Sequence, residues 1–301
     1  MVVGCSRKDR APDVRPLVPE PSVPHPPPDA APPPGATTLL TWSFEERGPT
    51  GQVVVIVPAW GSVLARYPVV VALHGRGEAM KPPADGAMGW ARDYALTRAI
   101  ERVAAPPVTE RDLEGFAEEE QLTAINRQLE ERPFGGQIVV CPYVPDLNLR
   151  SAADAAEYGR FVIGTVLPRV RRETPALVTP EATGIDGVSL GGATALRVGL
   201  ANPDVFGAVG ALQPAIGEEQ AQEWTEIARA ARARRPQLKL RLTTSHDDYF
   251  RAAVRKVSET LRVAGVAHDF HELAGPHDYA FNRGPGAIEM LLWHDRVLSR
   301  G

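Results

Sequence analysis

Cysteine is nearly missing from this chain: Cys5 and Cys141 are the two among 301 residues. Cys141 closes the apolar run Ile138-Val139-Val140-Cys141 and reads as a buried core residue. With the other cysteine in a proline-rich tail, a disulfide framework is excluded. An excess of positive charge is absent too, and the formal net charge of −4 argues against nucleic acid as the main partner. No apolar run approaches the roughly 20 residues that span a bilayer. The basic start and apolar stretch of an export signal are also missing.

Proline, by contrast, is plentiful at one end. Between Pro12 and Pro34, 11 of 23 residues are proline. Such a stretch buries no core and reads as an extended, polyproline-like tether, reaching roughly 70 Å at about 3.1 Å per residue. The expected organisation is a disordered tether over residues 1–36 and one folded domain over residues 37–301. Ahead of the prolines, Met1-Val2-Val3-Gly4-Cys5-Ser6 is similar to the last residues of a bacterial lipoprotein signal, with Cys5 as the lipid-bearing residue. The expectation is therefore a true start upstream of the recorded one and a domain held at the cell envelope through Cys5. An unmodified cytoplasmic tail is the alternative.

From Thr37 onward, short apolar runs alternate with helical patterns. Leu39 to Glu45 and Gln52 to Val57 read as two early strands. Pro68 to Leu73, Gln137 to Cys141, Gly184 to Val188, Ala208 to Leu212, Leu238 to Thr243 and His268 to Glu272 have the look of buried strands. Helices are expected over Tyr158 to Arg172, Gly191 to Asn202, Glu218 to Arg234 and Phe250 to Gly265. This alternation predicts an α/β fold, a mostly parallel central sheet with helices on both faces. Within the long insertion after Leu73, Thr109 to Glu131 reads as one acidic amphipathic helix, N-capped by Thr109. It serves either as a lid or as a helix packed on the sheet.

Chemistry enters at Gly187-Val188-Ser189-Leu190-Gly191, a G-x-S-x-G between a strand and a small-residue helix. This is the context of a nucleophile elbow, in which a sharp turn projects the serine hydroxyl into a cleft at a helix N-terminus. A serine hydroxyl needs a base, a group to orient that base, and donors for an oxyanion. On a parallel sheet these follow as serine, acid, histidine at successive strand ends. After the strand ending at Thr243, Asp248 is the expected acid, three residues past Ser245, with Asp247 as the alternative; either could also cap the next helix. After the last strand, Gly275-Pro276-His277-Asp278-Tyr279 sets His277 on a loop as the base. His268, His271 and His294 read as surface or structural residues. The oxyanion donors are expected from the backbone N–H of Leu190 and of Arg76, with Gly75 as the alternative, and His74 is expected to hold that loop. Trp60, Trp90, Tyr249, Tyr279 and Phe281 are candidate pocket walls.

Taken in order, these pieces resemble the esterase D family of α/β-hydrolases, which includes S-formylglutathione hydrolases, feruloyl and enterochelin esterases and mycolyltransferases. The carrying residues are Val53 to Pro58, Tyr67-Pro68 leading to Leu73-His74-Gly75, Val166-Leu167-Pro168, Gly187 to Gly192 and Pro203 to Gly207. The Asp248 loop and Gly275 to Tyr279 complete the set. The resemblance implies an α/β-hydrolase fold and Ser189, Asp248 and His277 as a catalytic triad. Members often carry tryptophan two and five residues after the histidine, where this chain has Tyr279 and Asn282. The expected activity is that of a serine carboxylesterase acting on a small-molecule ester, with no metal or organic cofactor. An acyltransferase on the same acyl-enzyme, or an envelope-tethered binding protein on the same scaffold, are the alternatives.

Overall fold

The computed structural model describes Met1, residues 31–148 and residues 151–299. By its internal contacts the chain separates into Met1–Ala31 and Pro32–Gly301. Cys5 and most of the expected tether lie outside the described residues.

The second unit is organised by an eight-stranded sheet. Its strands are β1 (Thr37–Ser43), β2 (Gln52–Pro58), β3 (Val69–Leu73), β4 (Ile138–Pro142), β5 (Thr183–Gly187), β6 (Ala208–Leu212), β7 (Lys239–Asp247) and β8 (Asp269–Pro276). They lie in the order β1-β2-β4-β3-β5-β6-β7-β8. The β1–β2 and β2–β4 pairings are antiparallel, and the pairings from β4 through β3 to β8 are parallel. The expected mostly parallel sheet is thus borne out, as a mixed sheet with its antiparallel part at one edge.

Strand periodicity divides the core in two. Val53 and Val55 face one apolar cluster, with Leu196, Phe161 and Trp224 of the covering helices. Val54 and Ile56 face the other, with Ile100, Trp90 and Leu291. Both faces are buried, which is why these strands read as continuous apolar runs rather than as alternating ones. Each such side chain removed from water contributes about 1.5–3 kcal/mol.

Three expectations are corrected in detail. The Thr109–Glu131 segment is not one helix. A 3-10 turn over Glu110–Leu113 ends at Glu114 and Gly115, whose φ values are 54° and 80°, and the helix proper spans Glu119–Glu131. Leu113 and Leu129 are buried in the second cluster, so this segment packs as part of the helical layer. The helix expected from Tyr158 begins earlier, at Ala152, and carries a π-helical stretch over Val162–Val166 before running on to Glu173. Finally, β7 and β8 outlast their apolar runs. Thr243, Thr244 and Ser245 are fully buried although polar, and the strand continues to Asp247.

Candidate active site

At the carboxyl end of β5 the chain turns sharply. Ser189 has φ 56° and ψ −116°, an uncommon conformation for a residue with a side chain, and the helix Leu190–Ala201 starts immediately after it. Such a backbone persists only when its surroundings over-determine it. Here Ser189 N–H donates to Leu212 O at 3.0 Å, and Ser189 O accepts from Ala193 N–H and Ala215 N–H, each at 3.0 Å. The flanking glycines permit the approach of helix to strand. A Cβ on Gly191 would stand 2.2 Å from Leu73 O, and one on Gly187 would stand 2.5 Å from the Gly191 backbone.

Asp248 follows the irregular end of β7 and is buried, whereas Asp247 is the exposed last residue of that strand, opposite Pro276. The Asp248 carboxylate accepts at Oδ2 from Thr244 Oγ1 (2.7 Å), and at Oδ1 from Phe250 N–H (3.0 Å) and His277 Nδ1 (2.7 Å). It therefore caps the following chain and orients the histidine at once. His277 keeps 13% of its side chain exposed, and the rings of Tyr249 and Phe250 flank it at 5.2 and 5.5 Å.

Ser189 and His277 line one hollow of about 250 Å³, together with Gly75, Arg76, Tyr279 and Asn282. A second hollow of about 580 Å³ meets Ser189 from the other side, lined by Leu190, Arg76, Asp146, Leu147, Ala215 and Phe250. No lining residue of either comes from Thr109–Glu131. A larger apolar hollow of about 760 Å³, bounded by Ala155, Ile163, Arg197 and Ile227, holds none of the expected site residues. Its size alone therefore marks no chemistry.

Leu190 and Arg76 each open a helix, where the N–H has no acceptor within the helix. Gly75 N–H, the alternative donor, is already directed at Tyr94 Oη at 3.1 Å. The Gly75 carbonyl lies 2.9 Å from His74 Nδ1. Across a trans peptide the Arg76 N–H points the opposite way. His74 Nε2 accepts from Val144 N–H at 2.9 Å, so the neutral ring bridges two loops; burial pushes its pKa down to about 4.

The remaining expected residues lie elsewhere. His268 contacts Ser258 Oγ and Val266 O, His271 contacts Glu289, and His294 is wholly buried against Asp186. Of the candidate pocket walls, Tyr279 lines the smaller hollow and Tyr249 stands beside His277. Trp90 and Phe281 are core residues, and Trp60 packs on Tyr67 and Phe134. Among the described residues no cluster of three His, Cys, Asp or Glu is arranged to hold a metal ion. Nor is any described helix long and apolar enough to cross a membrane.

Sequence reasoning missed Glu78, Tyr94 and Gln213. Gln213 Nε2 donates to Ser245 Oγ (2.6 Å) and Pro276 O (2.9 Å), tying β7 to β8 beneath His277. A lone Glu, Tyr or Gln outside a motif carries no signal of its own; only the fold brings Glu78 and Tyr94 to the hollow of Ser189, and Gln213 to the ends of β7 and β8.

Comparison with known proteins follows the same geometry. Residues 142–283 match the family model described as "Putative esterase". That span contains Ser189, Asp248 and His277, while Arg76 lies before it. No curated protein matches this sequence. Among solved structures, a ferulic acid esterase superposes with a TM-score of 0.63 at 17% identity, over 88% of this chain and 98% of its own. An S-formylglutathione hydrolase from Staphylococcus aureus gives a TM-score of 0.59 at 15% identity, over 86% and 98%. The fluorophosphonate-binding serine hydrolase F of the same organism gives 0.59 at 16%, over 87% and 99%. At such identities the likeness establishes the fold. The fold is therefore that of the α/β-hydrolases, and the esterase family match covers residues 142–283, the part of the chain whose strand ends carry the site.

Proposed function

We propose that the protein is a serine carboxylesterase in which Ser189, His277 and Asp248 form the triad. Ser189 Oγ attacks the ester carbonyl carbon while His277 Nε2 takes its proton. Asp248 holds Nδ1–H and stabilises the imidazolium that forms. The negative oxygen of the tetrahedral intermediate lies against the N–H groups of Leu190 and Arg76. His277 returns the proton to the leaving alcohol as the ester bond breaks. Water then attacks the acyl-enzyme, giving its proton to the same nitrogen; as the bond to Ser189 Oγ breaks, His277 returns that proton to Ser189 and the acid leaves.

One observation carries the reading: a histidine oriented by a buried carboxylate at 2.7 Å lines the same hollow as a serine on a strained strand-to-helix turn. The test is labelling with a fluorophosphonate probe, paired with hydrolysis of a p-nitrophenyl ester. Labelling and turnover should vanish in Ser189→Ala and fall sharply in His277→Ala. A folded wild-type protein that neither labels nor turns over would overturn the proposal.

The envelope placement rests on Cys5 and the proline run of the sequence. Its check is mass spectrometry of the native protein: a lipid-modified cysteine is expected, and an unmodified Met1 ends the idea.

A further inference from the structure

The wall of the smaller hollow includes a polar cluster that the mechanism above does not use, Glu78, Tyr94 and Tyr279. Glu78, on the single turn Arg76–Ala79, is 1% exposed, an unusual place for a carboxylate. It accepts from the Tyr94 hydroxyl, from Tyr279 Oη at 2.6 Å and from Lys81 Nζ at 3.3 Å. Lys81 is itself held by Asp93 at 2.8 Å. Tyr94 Oη in turn accepts from Gly75 N–H at 3.1 Å.

These contacts make one continuous chain: Gly75 N–H to Tyr94, Tyr94 to Glu78, and Tyr279 to Glu78. Its two ends are informative. Gly75 immediately precedes the expected oxyanion donor Arg76, and Tyr279 stands two residues after His277. Burial, with the neighbouring carboxylate, raises both phenols above their ordinary range, so each keeps its proton and stays a donor to Glu78. A buried carboxylate is costly unless its lone pairs are filled, and three donors fill these. The sheet does not need this arrangement, since apolar side chains pack the rest of that layer.

We propose that Glu78 is a positioning residue that locks the oxyanion loop to the histidine loop, so that the Arg76 N–H and the His277 ring hold a fixed distance from Ser189. This rests on the serine-esterase reading above. Oxyanion donors accelerate a reaction because they are pre-aimed, and small misplacements cost much of the effect. Glu78 touches no reacting atom in this scheme; it acts through Gly75 and Tyr279.

The experiment uses the full chain and its Glu78→Gln, Tyr279→Phe and Tyr94→Phe variants. A p-nitrophenyl ester gives kcat and KM, and a trifluoromethyl ketone, which forms a tetrahedral adduct with a serine, reports on the oxyanion site. Glu78→Gln should lower kcat by about tenfold or more with KM nearly unchanged, and should weaken the ketone by a similar factor. Tyr279→Phe added to Glu78→Gln should cost little more, because the two act through one chain of contacts. Unchanged kcat in folded Glu78→Gln, or a change in KM alone, overturns the proposal. If Glu78→Gln fails to fold, Tyr94→Phe decides, since it removes one hydroxyl and should lower kcat in the same way. A wild type that labels at Ser189 and matches Glu78→Gln sinks only the coupling. A wild type that neither labels nor turns over sinks the esterase reading and this proposal with it.

Discussion

Two Asp–His pairs stand among the described residues, and their chemistry on paper is the same. His277 meets Asp248 at 2.7 Å, and His294 meets Asp186 at 2.9 Å. The first pair sits at the ends of β7 and β8, with the ring reaching the hollow that contains Ser189. The second is wholly buried beneath the sheet, where Asp186 also binds Arg241 at 2.8 Å, and Arg241 lies against the Trp293 ring. Burial pushes the pKa of His294 down despite the neighbouring carboxylate. An Asp–His contact is therefore not a site in itself. What separates the two is whether the ring can meet a nucleophile and a substrate, and that is decided by strand ends rather than by the pair.

The largest effects should come from breaking each pair at its histidine. His277→Ala should lose on the order of 10³-fold or more in kcat with its unfolding midpoint nearly unchanged. His294→Ala should keep its kcat per folded molecule but lose on the order of 3 kcal/mol in urea unfolding, because Asp186 is left buried with one partner fewer. Equal losses of kcat would erase the distinction.

The carboxylates sharpen the contrast. Asp248→Asn should cost about 10²–10⁴-fold in kcat, since an amide at that place favours the wrong tautomer. Asp186→Asn, measured by denaturant titration, should act on stability, because Arg241 loses its nearer counter-charge and keeps only Glu289, at 3.7 Å.

A smaller effect is expected where strand and elbow helix touch. Gly191→Ala forces the helix off Leu73 O and should cost about 1–3 kcal/mol, with a drop in kcat as Leu190 N–H shifts. Wild-type kcat in a stable Gly191→Ala would show that the elbow tolerates movement.

The gentlest probe is pH. The His74 ring stays neutral in the fold down to about pH 4, while in the unfolded chain it takes a proton near 6.5. Below pH 6.5 the unfolded state thus binds more protons, and stability falls as the pH falls, by about 1 kcal/mol over the first unit and by at most about 1.4 kcal/mol per unit after that. The effect sets in within about a unit above pH 6.5 and levels off below about pH 4. His74→Asn should flatten this slope, leaving the part that belongs to His294, whose pKa burial also pushes down.

Much of the fold was legible before any coordinates. All eight expected strands formed, and the central ones were the plainest, because a sheet covered on both faces demands uninterrupted apolar residues. Boundaries failed where polar residues were buried: Thr244 and Ser245 lie past the expected strand end at Thr243 yet continue β7. Thr109 to Glu131 failed for a different reason. The break at Glu114 and Gly115 interrupts a helical pattern whose period survives on both sides. At the site, Ser189, Asp248 and His277 are nameable from chain order and loop context. Glu78, Tyr94 and Gln213 are not, since nothing local distinguishes them from solvated side chains.

The sequence by itself determined the alternation of strand and helix, the resemblance to esterases, the sharp turn at Gly187 to Gly191 and the residues that follow each strand end. These are local properties, set by periodicity and by what a short stretch of backbone allows. The tertiary structure alone decided which Asp–His pair faces a hollow, that Asp248 rather than Asp247 is turned inward, and that Gly75 N–H is taken up by Tyr94. Those outcomes depend on how strands far apart in the chain are ordered in the sheet, and so on contacts between residues that share no neighbourhood in the sequence.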